Sequence, residues 1–373
     1  MTREALGAVV ERLGGPIRVE PIEVDDPGPG EVLVRVVANG VCHSDHWAIH
    51  HGNWGEPFPM LLGHEGAGYV EIVGDGVERV GVGDPVVLAW AVPCGTCHAC
   101  VRGQPRRCGH GWTQPPRMRV ARTGAPLIGT LGLGTLATHV VVAAELAIPV
   151  SVQADLSRIC LLGCGVSTGV GAAVNTAEIL PGASVAVIGL GGIGLAALQG
   201  ARIAGATRLI AVDLVASKLE IARAVGATDV VDASAGDAVA QVRSLTAGEG
   251  VDHAFEATGN AHVVEQAVAM LGRSGEAVAI GVPAPDSHLT LAWGDGPDGA
   301  AYPNKATLLV TDGGDPIPDE DFPTWVGWYM DGRLDLDTMV TREATLTEED
   351  LREAFQAMLA GEVVRTVIRP TPD

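Results

Sequence analysis

Cys94, Cys97, Cys100 and Cys108 lie within one short stretch, PCGTCHACVRGQPRRC, as a C-x2-C-x2-C-x7-C run. Thiolates at that density repel one another unless a cation sits among them. Four sulfurs at about 2.3 Å complete the tetrahedral shell of a structural zinc. A disulfide pair and an iron–sulfur cluster are the alternatives for the same four residues. Cys42, His64 and Cys164 stand apart in sequence, each in a glycine-rich setting: GVCHSD, LLGHEGAG and LLGCGVSTG. Two thiolates and an imidazole leave one position on a zinc ion free for water or a substrate oxygen, as catalysis at a metal requires. Taken singly, each is equally readable as a small buried filler. Cys160, outside both sets, reads as core filler.

A second chemistry is written in Gly189-Leu190-Gly191-Gly192-Ile193-Gly194, a G-x-G-x-x-G that follows the apolar run SVAVI and opens the helical run IGLAALQGARI. Glycines there permit a tight turn and let a pyrophosphate approach the backbone at a helix N-terminus. Asp213 closes the next apolar run, RLIAVD, about twenty residues on, where a carboxylate can accept the ribose hydroxyls of an adenosine. It would repel the extra phosphate of NADP, and Leu214 and Val215 supply no cation to hold one, so NAD is favoured. An ordinary strand–helix turn is the plain alternative.

These residues need elements to hold them. The segments 31–37, 65–73 and 84–89 read as short strands between Gly/Pro turns, giving an all-β-like first region whose loops carry the candidate ligands. From about residue 184 strands alternate with helices: SVAVIG, GIGLAALQGARIAG, RLIAVD, KLEIARAVG, VDHAFEAT, a helix around 261–271, and EAVAIG. That alternation implies βαβ units and a doubly wound parallel sheet, an α/β fold. After about residue 305 the alternation reads as ended, with an acidic, Pro-rich stretch (TDGGDPIPDEDFP) and one last helix. No internal repeats occur.

Length and charge narrow the class. A chain of 373 residues favours two domains. The net charge of −21 argues against nucleic-acid and anionic-membrane partners. The charged N-terminus lacks a signal peptide's apolar stretch, and no apolar run reaches the length of about eighteen residues that would span a bilayer. A cytoplasmic protein is expected, and in that reducing compartment clustered cysteines are ligands before they are disulfides.

Taken in order, GVCHSD, GHEGAG, the four-cysteine lobe, GCGVSTG and GLGGIG resemble the zinc-dependent, medium-chain alcohol dehydrogenases over about residues 5–369. The likeness is greatest to the branch containing glutathione- or mycothiol-dependent formaldehyde dehydrogenases. The resemblance implies a GroES-like β-rich catalytic domain at 1–165, with a structural zinc lobe at about 93–109. A Rossmann domain follows at 166–308, then a return to the catalytic domain at 309–373, with the active site in the cleft. It implies two zinc ions per chain, NAD and a small alcohol or carbonyl substrate. Cys42, His64 and Cys164 take the role of catalytic zinc ligands, with Asp45 orienting His64 and Glu65 able to approach the metal. Ser44 matches the hydroxyl that bonds the substrate oxygen and starts the proton relay. Thr168 and Ile193 flank the nicotinamide, Lys218 lies near the adenosine ribose, and Arg365 and His43 serve the pyrophosphate. A helix cap at Ser44 or Asp45, and solvated charges at Lys218 and Arg365, are the plainer readings of those residues.

Two departures bear on substrate. Where many relatives carry a relay histidine, this chain has Trp47, preceded by His46 as the remaining candidate and followed by His50 and His51. The formaldehyde branch also lacks that histidine. Trp90 occupies the aromatic wall position and, with Trp47, Trp54, Thr130 and Leu131, suggests a bulky pocket. At 308–315 LLVTDGGD replaces a Lys-Gly-Ser-like strand near the subunit boundary, with Asp312 read as an exposed turn acid and, as the alternative, as a group facing the site. The expected reaction interconverts an alcohol, bulky or a thiol–formaldehyde adduct, with its aldehyde or ketone. Arg117, Arg119 and Arg122 are the one evident cation cluster for an anionic thiol. A biosynthetic reductase of a specialised carbonyl or conjugated double bond is the alternative, and a non-catalytic NAD-binding protein the remote one. The segment 109–131 suggests a homodimer, with a tetramer as the other option.

Overall fold

In the computed structural model, residues 2–52, 58–109, 117–292, 294 and 301–370 are described, and Trp54 lies outside them. The chain forms two compact units, one of residues 1–164, 317–331 and 340–373 and one of 165–316 and 332–339. The first unit begins with β1 (Thr2–Val10), β2 (Arg18–Asp25), β3 (Glu31–Gly40), β4 (Met60–Leu61) and β5 (Gly66–Val73). It continues with β6 (Pro85–Leu88), β7 (Met118–Val120), β8 (Pro126–Gly129), β9 (His139–Ala143) and β10 (Ala147–Pro149). The second unit holds β11 (Ser184–Ile188), β12 (Arg208–Asp213), β13 (Asp229–Asp232), β14 (Val251–Glu256), β15 (Leu271–Ala279) and β16 (Thr307–Val310). The chain then returns to the first unit with β17 (Val340–Thr345) and β18 (Arg365–Arg369).

In the first unit β1-β2-β7-β8-β4 close into a small barrel, and a seven-stranded sheet runs β10-β6-β5-β3-β18-β17, with β9 also on β3. β3 reads EVLVRVVANG, and Val32, Leu33, Val34 and Val36 are all buried. A near-continuous apolar run suits a strand covered on both faces. The C-terminal strand β18 reaches β3 through the pairs Val367↔Gly40 and Ile368↔Asn39, which sets the far end of the chain beside Cys42. Two helices, His43–His51 and Glu348–Leu359, pack into a core with Ala8, Met60, Leu62 and Leu136.

The second unit is a six-stranded sheet in the order β13-β12-β11-β14-β15-β16, every pair parallel. The helix Gly192–Ile203 is rich in Ala and Gly, and this lets it approach the helix Gly165–Gly171 closely. A Cβ placed on Gly200 would lie 3.0 Å from Val170 Cα, and one on Gly169 would lie 2.2 Å from the Ile193 carbonyl. The β-rich unit and the doubly wound unit together make an α/β protein, as the alternation predicts.

Two features after residue 305 depart from the sequence reading. The alternation does not end there, because β16 pairs with β15 in the registers Glu276↔Thr307 to Ala279↔Val310. As an edge strand it carries little burial, so its four residues look like loop. The acidic, Pro-rich stretch also contains a helix, Pro318–Met330. Pro318 sits in its first turn, where the missing N–H costs nothing, and Asp319, Glu320 and Asp321 complement the positive end of the helix dipole. Asp312 is exposed, as a turn acid should be. Among the described residues no single helix is long and apolar enough to cross a membrane.

Candidate active site

Cys42 ends the loop after β3 in an extended conformation (φ −125°, ψ 149°), and the helix His43–His51 starts immediately behind it. His64 follows β4 and Gly63, whose φ of +98° is open to glycine. A Cβ on Gly63 would stand 2.1 Å from the Leu136 backbone nitrogen. Cys164 closes the turn after residues 160–163. These loops bring Cys42, His64, Glu65 and Cys164 together, all buried, with their donor atoms within 4.8 Å of one another. Three short motifs spread over 123 positions thus converge on one point.

The donor set fits a zinc ion. His64 Nδ1 lies 3.3 Å from Asp45 Oδ1, and Asp45 Oδ1 also accepts from Gly63 N at 2.8 Å. With Nδ1 directed at Asp45, the imidazole leaves Nε2 as the atom for a metal, and among the described residues that buried nitrogen has no hydrogen-bond partner. A hydrogen bond from Cys164 holds the Cys42 thiol well below its usual value against the opposing effect of burial, and His64 and Arg365 help. Cys164 is correspondingly raised by that hydrogen bond and by burial. Burial alone would lower the His64 pKa, yet the charges of Asp45 and Cys42 carry it well above the ordinary range. A thiolate, an unpartnered imidazole nitrogen and a second thiol in a dry site are what a cation would stabilise together.

Glu65 is the fourth buried group. Burial pushes its carboxyl up to about 7, while Arg365 pulls it down. Arg365 donates from its terminal nitrogen to Glu65 Oε2, and the two side chains are 6% and 0% exposed. Arg365 is therefore an internal cation and not the solvated charge its residue type suggests. Gly40, which the sequence reading passed over, makes room for the pair, because a Cβ there would fall 1.9 Å from Glu65 Oε2. Its only signal in the sequence is its place two residues before Cys42.

The four-cysteine lobe is equally well formed. Its sulfurs lie within 4.8 Å of one another, and Cys97 and Cys108 sulfurs are 3.8 Å apart. Tetrahedral ligands at about 2.3 Å from a zinc are separated by about 3.8 Å. All seven cysteines are free thiols, so the disulfide alternative does not hold here. Backbone and hydroxyl hydrogen bonds from Thr96, then one from the Cys97 amide, lower the Cys94 thiol to about 5. Cys160 is buried, its thiol donating to the Ser157 carbonyl at 3.7 Å and raised by burial.

In the second unit Gly189 takes φ +90°, and the glycine turn leads into the helix Gly192–Ile203. A Cβ on Gly194 would sit 1.8 Å from the Gly189 carbonyl, so the turn closes as tightly as the pattern demands. Asp213, at the end of β12, accepts from Leu190 N at 2.6 Å and Val215 N at 2.9 Å. It fixes the glycine turn while lining a cavity of about 1120 Å³ with Gly189, Leu214 and Thr258. Leu214 and Val215 are exposed there and carry no charge, and Lys218 is half-buried on the following helix.

The remaining candidates are distributed over several elements. Ser44 and His46 are half-buried on the helix His43–His51, and His43 is exposed on it. Asp45 bonds Gly63 and His64, which leaves it no role as a cap. The His46 ring is 4.4 Å from the His50 ring, and burial followed by the neighbouring histidines lowers its pKa. Trp47 is half-buried beside His51, with ring centroids 5.0 Å apart, and Trp90 is half-buried after β6. Thr130 is fully buried with its hydroxyl donating to the Leu61 carbonyl, whereas Leu131 is half-buried in a left-handed conformation (φ +51°). Thr168 is buried in the helix Gly165–Gly171 and Ile193 is half-buried at the start of Gly192–Ile203.

Comparison with known proteins agrees with this geometry. Residues 28–152 match the alcohol dehydrogenase GroES-like domain family, and residues 192–320 match the zinc-binding dehydrogenase family. An S-(hydroxymethyl)glutathione dehydrogenase of Escherichia coli is 37% identical over 371 residues, covering 97% of this chain and 98% of its own. The crystal structure of an alcohol dehydrogenase zinc-binding domain protein from Burkholderia ambifaria superposes with a TM-score of 0.91 at 33% identity, over 100% of both chains. Benzyl alcohol dehydrogenase from Acinetobacter calcoaceticus gives 0.89 at 29% identity, over 99% of this chain and 100% of its own. The chain belongs to the zinc-dependent medium-chain alcohol dehydrogenases and resembles their class III formaldehyde-dehydrogenase branch. It is an oxidoreductase that interconverts an alcohol and its carbonyl partner with zinc and a nicotinamide dinucleotide.

Proposed function

We propose that the chain oxidises a bulky alcohol reversibly to its aldehyde or ketone with NAD as the hydride acceptor, using two zinc ions of different purpose. The observation that carries this reading is the buried Cys42–His64–Cys164 set with His64 Nε2 unpartnered. Zinc bound there supplies Lewis-acid polarisation of an alcohol or carbonyl oxygen. Asp45 fixes the tautomer and ring plane of His64. Ser44 receives the proton leaving the alcohol, and His46, kept neutral at physiological pH, is the candidate to pass it on. Glu65, neutralised by Arg365, provides a carboxylate that can approach the ion during ligand exchange. Cys94, Cys97, Cys100 and Cys108 would hold the second ion, which would pin the lobe of about residues 93–109. We assign residues 1–164, 317–331 and 340–373 to catalysis and 165–316 and 332–339 to the dinucleotide, so the return to the catalytic unit comes later than the boundary at 309 read from the sequence. Gly189, Gly191, Gly192 and Gly194 admit the pyrophosphate, with His43 as its candidate cation, since Arg365 is buried and paired with Glu65. Asp213 and Lys218 hold the adenosine ribose, and Thr168 and Ile193 flank the nicotinamide. The preference for NAD is supported by Asp213 and the uncharged Leu214 and Val215.

Cys42→Ser should abolish turnover while NADH still binds, and zinc content should fall from about two ions per chain to about one. Full turnover in a zinc-depleted sample would falsify the reading. A thiol–formaldehyde adduct as substrate is supported by the Escherichia coli relative. Against it, the three candidate cations are engaged: Arg117 with Glu31, Arg119 with Glu23 and Asp25, and Arg122 with Glu11 and Glu20. The half-buried Trp47, Trp90 and Leu131 suit an uncharged bulky substrate. Benzyl alcohol turnover, compared with formaldehyde turnover with and without glutathione or mycothiol, separates the two.

A homodimer is supported by β16, an edge strand on which Val310 is 77% exposed. Among the described residues no strand pairs with its outer side, and such an apolar edge invites a second strand. Val310→Lys should yield monomers in sedimentation analysis, and an unaltered sedimentation coefficient would remove this edge as the interface. The cytoplasm is the compartment the reading implies, since thiolate ligands persist there.

A further inference from the structure

The unusual segment after β16 is fastened to the helix that carries Thr168. Gly313, Gly314 and Asp315 take three successive left-handed conformations, with φ of +75°, +82° and +52°. Asp is among the few residues other than glycine that adopt this region readily. The turn lies directly on helix backbone. A Cβ on Gly314 would stand 2.4 Å from the Ser167 carbonyl oxygen and 2.7 Å from that of Thr168. A Cβ on Gly171 would stand 2.1 Å from the Gly314 carbonyl oxygen. At its far end the turn is held by side chains. Thr176 Oγ1 donates to Asp315 Oδ2 at 2.5 Å, Thr311 Oγ1 donates to the same oxygen at 3.0 Å, and the two hydroxyls are 3.0 Å apart. Thr311 is 6% exposed. Residues 172–176, on which Thr176 lies, form a π-turn continuing from Gly165–Gly171, a wider helical geometry that needs outside support. The same helix presses on the dinucleotide turn, where Gly169 meets the Ile193 carbonyl.

We propose that Asp315, through Thr176 and Thr311, is a positioning residue for the cofactor: it latches the 311–315 turn to the helix bearing Thr168 and so sets the affinity for NAD. This rests on the reading above that Thr168 and Ile193 flank the nicotinamide. One carboxylate oxygen accepting two hydroxyls is a charge-assisted bond at both, stronger than a neutral pair. Its loss frees the π-turn and the Gly314 contact together, and none of Thr168, Thr176, Thr311 and Asp315 lines the cavity at Asp213.

The test is a titration of zinc-loaded enzyme with NADH and, separately, with 5′-AMP, which reads only the adenosine end. Asp315→Ala and Thr176→Val should each weaken NADH binding about fivefold or more. Binding of 5′-AMP should stay within about twofold of wild type. Asp315→Asn, which keeps an acceptor oxygen, should recover most of the NADH affinity. Should Asp315→Ala fail to fold, Thr176→Val, which preserves the side-chain shape, decides the matter. Unchanged NADH affinity in both variants, or a parallel loss of NADH and 5′-AMP, overturns the latch. Wild-type enzyme that binds 5′-AMP but not NADH overturns the nicotinamide reading itself, and the latch with it.

Discussion

Glu65 and Arg365 are 300 positions apart in sequence and in contact in the fold, both buried. Removing one partner of a buried ion pair is costly, since the survivor stays dehydrated and unpaired. Arg365→Leu should destabilise the zinc-loaded protein by about 3–5 kcal/mol in urea unfolding. Adding Glu65→Gln should return a good part of that loss. A single-variant effect below about 1 kcal/mol would show that the pair is exchanged for solvent at little cost. The motifs around Cys42, His64 and Cys164 made the ligand set legible, because glycines beside a cysteine or histidine mark loops that must come close. The ion pair was not legible. It depends on β18 pairing with β3, a contact that no local pattern of residues encodes.

At the scale of elements, periodicity reported β11, β12, β14 and β15 with their helices in the parallel unit, and passed over β13 and the helix Ala238–Leu245. It failed at β16 and at the helix Pro318–Met330, where low burial and proline disguise regular structure. The four-cysteine lobe is the opposite case, since spacing alone identified it although it has almost no fold of its own. Neither of its helical turns, His98–Val101 and Pro105–Arg107, contains a buried residue. Its attachments include the partly exposed Arg106–Asp321 pair at 2.6 Å, which by itself contributes little. On the proposed reading, metal binding supplies most of the order in this element. Mild chelation should accelerate tryptic cleavage after the exposed Arg102 and Arg107 at least about tenfold while the rest of the chain stays intact. Cys97→Ser should behave like the chelated protein. Equal cleavage rates with and without zinc would mean that the lobe's own contacts suffice.

For the whole molecule, ionisation links stability to pH in two separate windows. Burial, the largest cause in each case, holds His46, His139 and His253 below their ordinary pKa. The unfolded chain takes up these protons near pH 6.5 and the folded chain resists them, so stability falls as pH drops below about 6.5. The carboxylates act lower. Glu343 is lowered by hydrogen bonding from Arg158, Asp350 by the Thr345 hydroxyl and amide, and Glu265 by the Thr290 amide. Their stabilisation is present above the unfolded value of about 4 and disappears as pH falls through the lower folded values. Acidification also protonates Glu65, which burial pushes up to about 7, so the folded chain takes that proton before the unfolded one does. It reduces the net charge of −21 as well, and with it the self-repulsion. Both oppose the first decline, the second weakly because the charges are screened beyond about 10 Å at 0.1 M salt. Melting temperature followed from pH 8 to pH 3, with zinc release monitored in the same samples, should fall from about 6.5 and steepen below about 4. His253→Gln, on β14 and distant in sequence from both cysteine sets, should flatten the upper limb before any zinc is released. A melting temperature that peaks near pH 5 in the zinc-loaded protein would mean that Glu65 and charge repulsion, and not the buried histidines, govern the first window.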